Sequence, residues 1–318
     1  MSFIVLVLLF VAVLYLLFAP IKSTPTNGYI ANVIAHSKSE GILPIQSFLL
    51  RYPRFIHSEI MTHKDFSRSA MSSRAVPVTK IISQVWFEPA MPLAWGKNKA
   101  GMQSTEQFSP FMSYVLTRLW VFAGRLMCCI AYLMVKLNVH KQFANRLLEP
   151  WQFMYVTLTT VKIANFFALR IHPAAQPEIR YLATLMRDAL ETSCPIILQK
   201  HDWHLPWIEP QDKTLVYAYL SNLLKTEPSK EDILNTLLAA SAARCARSSY
   251  ANFDGTRSIE KDMATFSKLT SDVPKHASPC EHQASPDPSG HFKDLHGNLT
   301  GWIQHRNTIP QHYTYDKP

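Results

Sequence analysis

Glycine is scarce in this chain, with nine in 318 residues, and neither G-x-G-x-x-G nor G-x-x-x-x-G-K-[ST] occurs. Glycine-rich phosphate loops are therefore not its means of holding a nucleotide. The five cysteines (Cys128, Cys129, Cys194, Cys245 and Cys280) form no C-x-x-C pair. An odd, irregularly spaced set speaks against a disulfide framework and a structural zinc site, and leads us to expect reduced, buried thiols. No internal repeat is visible. There is also no lysine- or arginine-rich tract and no interleaving of aromatic with basic residues, so nucleic acid is not an expected partner.

What is present is apolar mass and positive charge. The chain is 47% hydrophobic and carries a formal net charge of +9. That is enough apolar content for a sizeable core, and the charge favours anionic partners. Phe3 to Ala19 is an unbroken apolar run ended by Pro20 and Lys22. It lacks the basic start and small-residue cleavage site of a signal peptide, which leaves two readings: a membrane anchor or a translated leader. A second apolar stretch, Phe111 to Leu137, contains Arg118, Arg125 and Lys136, and so predicts a buried or amphipathic helix.

After residue 28, "YIANVIAHSKSEGILPIQSFLLRYPRF" predicts two strands around a turn at Gly41, followed by a short helix through Ile60. From about Thr105 to residue 270 the pattern is mostly helical. "HPAAQPEIRYLATLMRDAL" has Pro177 in its first turn, and Ser229 with Asp232 makes a capping-box start. From Ala284 the pattern is loop, with one strand at "NLTGWIQH". The expected organisation is a leader or anchor at 1–27, one α+β domain at 28–310 and a tail at 311–318.

Four segments place cations or hydroxyls where they could meet an anion. "THKDFSRSAMSSRA" (62–75) supplies His63, Lys64, Ser67, Ser69, Ser72 and Arg74. It reads either as a solvated helix end or as a hydroxyl-and-cation anion site. "HKQFANRLLEPW" carries Arg146. "NFFALRIHPAAQPEIR" sets Asn165 and Arg170 against apolar neighbours; such a pair must be hydrogen-bonded, either to a ligand or, for Arg170, to Glu178. "CARSSY" and "KHASPCEH" add Ser249, His276, Ser278, Glu281 and His282, whose spacing is not that of a zinc helix.

Together these segments resemble the flavin-dependent thymidylate synthase family, in particular its divergent bacteriophage-type branch. The family signature R-H-R-x-x-S-x-N-E-x-S-x-R-Y is matched at His63, Ser67, Ser72 and Arg74; Thr62, Lys64, Ser69, Ala70 and Ala75 depart from it. "NFFALRIHPAAQPEIR" resembles N-F-x-x-L-R-x-x-x-x-A-Q-x-E-I-R, "CARSSY" resembles A-A-R-V-S-Y, and "HASPCEH" resembles H-x-T-P-F-E-H. The last two follow the others here although they precede the signature in the family, which implies a circular permutation.

The resemblance implies a small antiparallel sheet with a largely helical remainder, a homotetramer, and a catalytic domain in the cytoplasm, free or anchored through residues 3–19. It also implies FAD as cofactor, methylenetetrahydrofolate and NADPH as co-substrates, and dUMP as the methyl acceptor. Arg170 would stabilise charge on the pyrimidine, with Ser72, Arg74 and Arg146 holding the rest of dUMP. His63, Lys64, Ser67, Ser69, Asn165, Ser249, His276, Ser278 and Glu281 would line the FAD site. The departures at Lys64, Ser69 and Ala70 leave two alternatives open: a membrane-anchored relative without catalysis, or an enzyme acting on a modified pyrimidine nucleotide. Gln304, His305 and Arg306 in "GWIQHR" offer a second basic element that would compensate for the missing arginines.

Overall fold

A computed structural model describes residues 3–22, 24–101, 104, 106–248 and 257–312. The helices are α1 (Phe3–Phe18), α2 (His57–Met61), α3 (Val78–Phe87), α4 (Pro110–Lys136), α5 (Lys141–Ala144), α6 (Ala164–Arg170), α7 (Pro177–Glu191), α8 (Pro210–Leu224), α9 (Lys230–Arg247) and α10 (Ile259–Thr270). The strands are β1 (Ile30–Lys38), β2 (Ile45–Pro53), β3 (Ser67–Ala70), β4 (Phe153–Thr160), β5 (Ile196–Ile197), β6 (Ala284–Pro286) and β7 (Trp302–Gln304). The class is the expected one, a small sheet with helices making up most of the rest.

The main sheet runs β3-β4-β2-β1-β5. Its first four strands pair antiparallel, and the two residues of β5 join β1 in parallel, the one departure from an all-antiparallel sheet. The β1–β2 turn is where the sequence places it, with Gly41 at φ +75°, a conformation a side chain would strain. Four strands lie where no strand was expected. β3 falls inside the 62–75 stretch, β4 and the short β5 interrupt the span read as helical, and β6 lies in the stretch read as loop.

Period-2 alternation gives this sheet two unlike faces. Phe48, Leu50 and Tyr52 of β2 join Met154, Val156 and Leu158 of β4 in the main core, with Ile179, Leu182 and Met186 of α7 packed against them. The opposite face carries Ser37, Ser47, Ser67, Ser69, Thr157 and Thr159, and all six are buried. Burying a bare hydroxyl costs about 1–3 kcal/mol, so this face needs partners. Two histidines from outside the sheet supply most of them. His204 bonds Ser37 Oγ through Nδ1 at 2.9 Å and Ser47 Oγ through Nε2 at 2.8 Å. His282 bonds Thr159 Oγ1 through Nδ1 at 2.9 Å and Ser69 Oγ through Nε2 at 3.0 Å. A Ser47–Thr159 hydroxyl contact makes the chain continuous.

Helices α8, α9 and α10 form a second packing unit around Val216, Leu220, Leu237, Ala240 and Ile259. α9 begins at the expected Ser229–Asp232 capping box. Its buried Arg244 forks onto Asp212 at 2.8 and 2.9 Å and reaches Asp262 at 2.8 Å. Removing one member of such a buried pair strands a charge and costs about 3–5 kcal/mol. Ser248, just past α9, bonds Thr157 Oγ1 at 3.2 Å and the Ser69 carbonyl at 3.2 Å, tying this unit to the hydroxyl face. Of the thiols, Cys128, Cys245 and Cys280 are buried as expected, whereas Cys129 and Cys194 are exposed on helix and loop surfaces.

Burial pushes His204 and His282 down to about 3. An unfolded histidine titrates near about 6.5. Each imidazole therefore contributes stability that is complete above about pH 6.5 and is lost as pH falls toward 3, because the unfolded chain takes up the proton first. We expect urea denaturation at pH 5 to show a loss of about 2 kcal/mol per histidine relative to pH 7.5. In a His282→Gln variant, one histidine's share of that pH slope should disappear.

Candidate nucleotide and flavin site

The 62–75 stretch begins where α2 ends, reverses at residues 63–66 and enters the sheet as β3. Arg68 fixes this reversal by donating to the Ile60 and His63 carbonyls at 3.1 and 2.8 Å. The reversal presents His63, half-buried, to the end of α6. There Arg170 Nε donates to His63 Nε2 at 2.9 Å, and Arg170 Nη2 donates to Thr62 Oγ1 at 3.2 Å. The His63 ring packs edge-on against Phe166 at 4.9 Å and stacks on Phe66 at 5.5 Å. Burial first, then the Arg170 and Arg68 charges, lowers the His63 pKa. His63 is therefore neutral at pH 7, with Nε2 as acceptor and the proton on Nδ1. Arg170 thus bonds His63, a partner the sequence did not suggest, and not Glu178. Glu178 accepts from the Leu93 backbone N–H at 2.8 Å instead.

β3 is the edge strand of the sheet, and the last quarter of the chain folds against it. Gln304 on β7 donates to Ser67 Oγ at 3.2 Å, to the Glu281 carbonyl at 2.9 Å and to Asn298 Oδ1 at 3.0 Å. Ser67 Oγ donates to Asn298 Oδ1 at 3.1 Å. The Glu281 carboxylate pairs with Arg306. Between these groups lies a cavity of about 560 Å³ lined by Lys64, Phe66, Arg68, Glu281, Asn298 and Arg306, among others. Three cations face one carboxylate, which Arg306 already neutralises, so the cavity is electropositive and rich in donors. Such a lining suits a phosphate or diphosphate.

A second basic element follows directly after β3. Ser72 Oγ accepts from the Arg74 backbone N–H at 3.2 Å, closing a serine turn. Buried Asn145 holds that turn by donating to the Ser73 and Val76 carbonyls, both at 2.8 Å. Arg146 is the next residue, so Asn145 sets the Arg74 turn beside the segment that carries Arg146. Both arginines are exposed, and among the described residues nothing pairs with either guanidinium.

The structure thus brings His63, Lys64, Arg170 and Glu281 around β3, with Ser72 and Arg74 on the loop that follows it and Arg146 on the 3-10 helix Asn145–Trp151. It turns Ser67 and Ser69 inward, where Asn298, Gln304 and His282 occupy their hydroxyls. Asn165, His276 and Ser278 are exposed, on α6 and around the short 3-10 helix Ser278–Glu281. Ser249 lies outside the described residues. Arg68 and Asn298 were missed by the sequence reading. Arg68 alternates with Ser67 and Ser69 in a strand pattern that marks it as facing the other way, a signal short enough to overlook. A larger cavity, of about 650 Å³ beside Trp95, Trp120 and Arg180, is lined by none of the residues assigned a ligand role.

The chain is similar in structure to a UMP/dUMP methylase of Streptomyces cacaoi bound with 5-Br UMP, at 16% identity over 56% of this chain and 92% of that chain, with a TM-score of 0.44. The same methylase bound with 5-Br dUMP matches at 16% identity over 49% and 68%, with a TM-score of 0.38. A flavin-dependent thymidylate synthase of Helicobacter pylori complexed with FAD and dUMP matches at 17% identity over 46% and 67%, with a TM-score of 0.30. No curated protein matches the chain in sequence. The sequence profile of the thymidylate synthase complementing protein family matches residues 19–196, more than half of the chain and inclusive of both the 62–75 and 165–180 segments. The chain belongs to the thymidylate synthase complementing protein family.

Proposed function

We propose that this chain is a flavin-dependent thymidylate synthase that methylates dUMP at C5, with methylenetetrahydrofolate as carbon donor and NADPH as reductant. The observation that carries this reading is the convergence at β3 of segments far apart in sequence. The His63–Arg170 pair joins the middle of the chain to its first third, and the electropositive cavity joins Lys64 and Arg68 to Glu281 and Arg306. The order of those segments is that of a circularly permuted relative.

The donor set fits an anionic dinucleotide. When bound, FAD supplies the hydride chemistry that the side chains lack. Lys64, Arg68 and Arg306 would hold its diphosphate, and Glu281 would keep Arg306 in place. Arg306 would thus replace a family arginine lost at position 64, since lysine keeps the charge without the fork. Asn165, His276 and Ser278 would form the rim. Ser67 and Ser69 would act indirectly, by fixing the height of β3.

Arg170 is held at Nε by neutral His63 and at Nη2 by Thr62, so its planar fork has a defined aim. In the proposed complex it would face the pyrimidine carbonyl and stabilise negative charge that develops as C5 becomes nucleophilic. Arg74 and Arg146, with Ser72, would take the dUMP phosphate. A homotetramer, as in the family at large, would close the open side of the site.

The purified chain is expected to be yellow and to release tritium from C5-labelled dUMP when methylenetetrahydrofolate and NADPH are supplied. A colourless protein that added FAD cannot reconstitute would overturn the reading. Arg170→Lys should lower kcat by roughly 10²-fold or more with FAD still bound, since it removes an interaction made in the transition state. Arg74→Ala and Arg146→Ala should instead raise the KM for dUMP, by about tenfold each, and leave kcat nearly unchanged. Steady-state kinetics of the three variants distinguishes these roles.

A further inference from the structure

The longest helix, α4, is apolar enough to cross a membrane, yet only 28% of its most apolar window is buried. Its inner face, through Val121, Arg125, Cys128 and Ala131, packs on the body of the protein, so lipid cannot surround it. Its outer face leaves Leu119, Leu126, Ile130 and Leu133 exposed, at steps of seven, four and three that place them on one side of the helix. Beside it lies α1, whose sequence is apolar at every position.

Two arginines of α4 join the pair. Arg125 is fully buried and donates to the Leu16, Ala19 and Pro20 carbonyls at 3.0, 2.9 and 3.0 Å. Arg118 donates to the Leu17 carbonyl and stacks over Phe18 at 5.4 Å. The last carbonyls of a helix normally turn to water. Here side chains satisfy them, an arrangement suited to surroundings from which water is absent. The same contacts turn both charges inward, so that they do not interrupt the outer apolar surface.

We propose that α1 and the outer face of α4 together form a docking surface for a bilayer with acidic headgroups, with Arg118 and Arg125 as the lock that joins the two helices. A protein partner would cover one stripe of α1, whereas lipid accommodates a helix that is apolar all round. The net charge of +9, with Lys22 just past α1 and Lys136 at the end of α4, complements an acidic surface.

Flotation of the full chain with vesicles of phosphatidylcholine, alone or mixed with phosphatidylglycerol, tests this. The parent should float with the mixed vesicles, more weakly as salt rises. A Leu126→Glu/Leu133→Glu double variant should lose about tenfold or more of that binding. Both leucines are exposed, so far-UV circular dichroism and flavin content should match the parent. Leu223→Glu, on the exposed surface of α8, should float like the parent. The proposal is overturned if the double variant floats as well as the parent. It is also overturned if the parent stays with no vesicle and runs as a discrete dimer that the double variant dissociates, which would assign the face to a second copy.

Discussion

A sheet with hydroxyls on one face is usually wet on that face. In this chain the face is buried, and two neutral imidazoles hold it together. His204 and His282 each present one ring N–H and one lone pair, and each finds a hydroxyl on both sides. Because hydroxyls rotate to donate or accept, the row Ser37, His204, Ser47, Thr159, His282, Ser69 closes without an unmatched group. Each missing member would leave a buried polar atom at a cost of about 1–3 kcal/mol, so the layer holds only when complete. It is also what draws residues 276–307 onto strands laid down more than a hundred residues earlier.

The geometry of the site follows from that attachment. His282 on Ser69 and Gln304 on Ser67 bring Glu281 and Arg306 to the mouth of β3, where Lys64 and Arg68 already lie. Two of the substitutions that set this chain apart from its family, at 69 and 64, then have a physical reason. A serine at 69 fits between strand and imidazole, where a longer amide would have to displace His282. In the proposed site, Arg306 from the other end of the chain would supply the guanidinium fork that Lys64 lacks.

Much of this could be read from the sequence, and what escaped did so for identifiable reasons. Gly41, Pro177 and the Ser229–Asp232 box mark their turns and helix starts locally, and each is found in place. β3 was hidden because buried serines look like surface serines when the partner that buries them is over two hundred residues away. β4, "FMYVTLTT", sits between helical patterns, and its threonines mimic a solvent face although both sides are covered. Arg118 and Arg125 look like the polar edge of an amphipathic helix; they are in fact caps on α1. The Arg170–His63 bond spans 107 residues and leaves no periodic trace.

The central claim is that the last quarter of the chain completes the cofactor site begun by the 62–75 stretch. Equilibrium titration of FAD into Arg306→Ala tests it most directly, with fluorescence of the flavin as the readout and thermal unfolding as the check on folding. The account predicts an affinity weaker by about tenfold or more, the cost of one charge-assisted contact. An affinity equal to that of the parent, in a variant that melts at the parent's temperature, would contradict it.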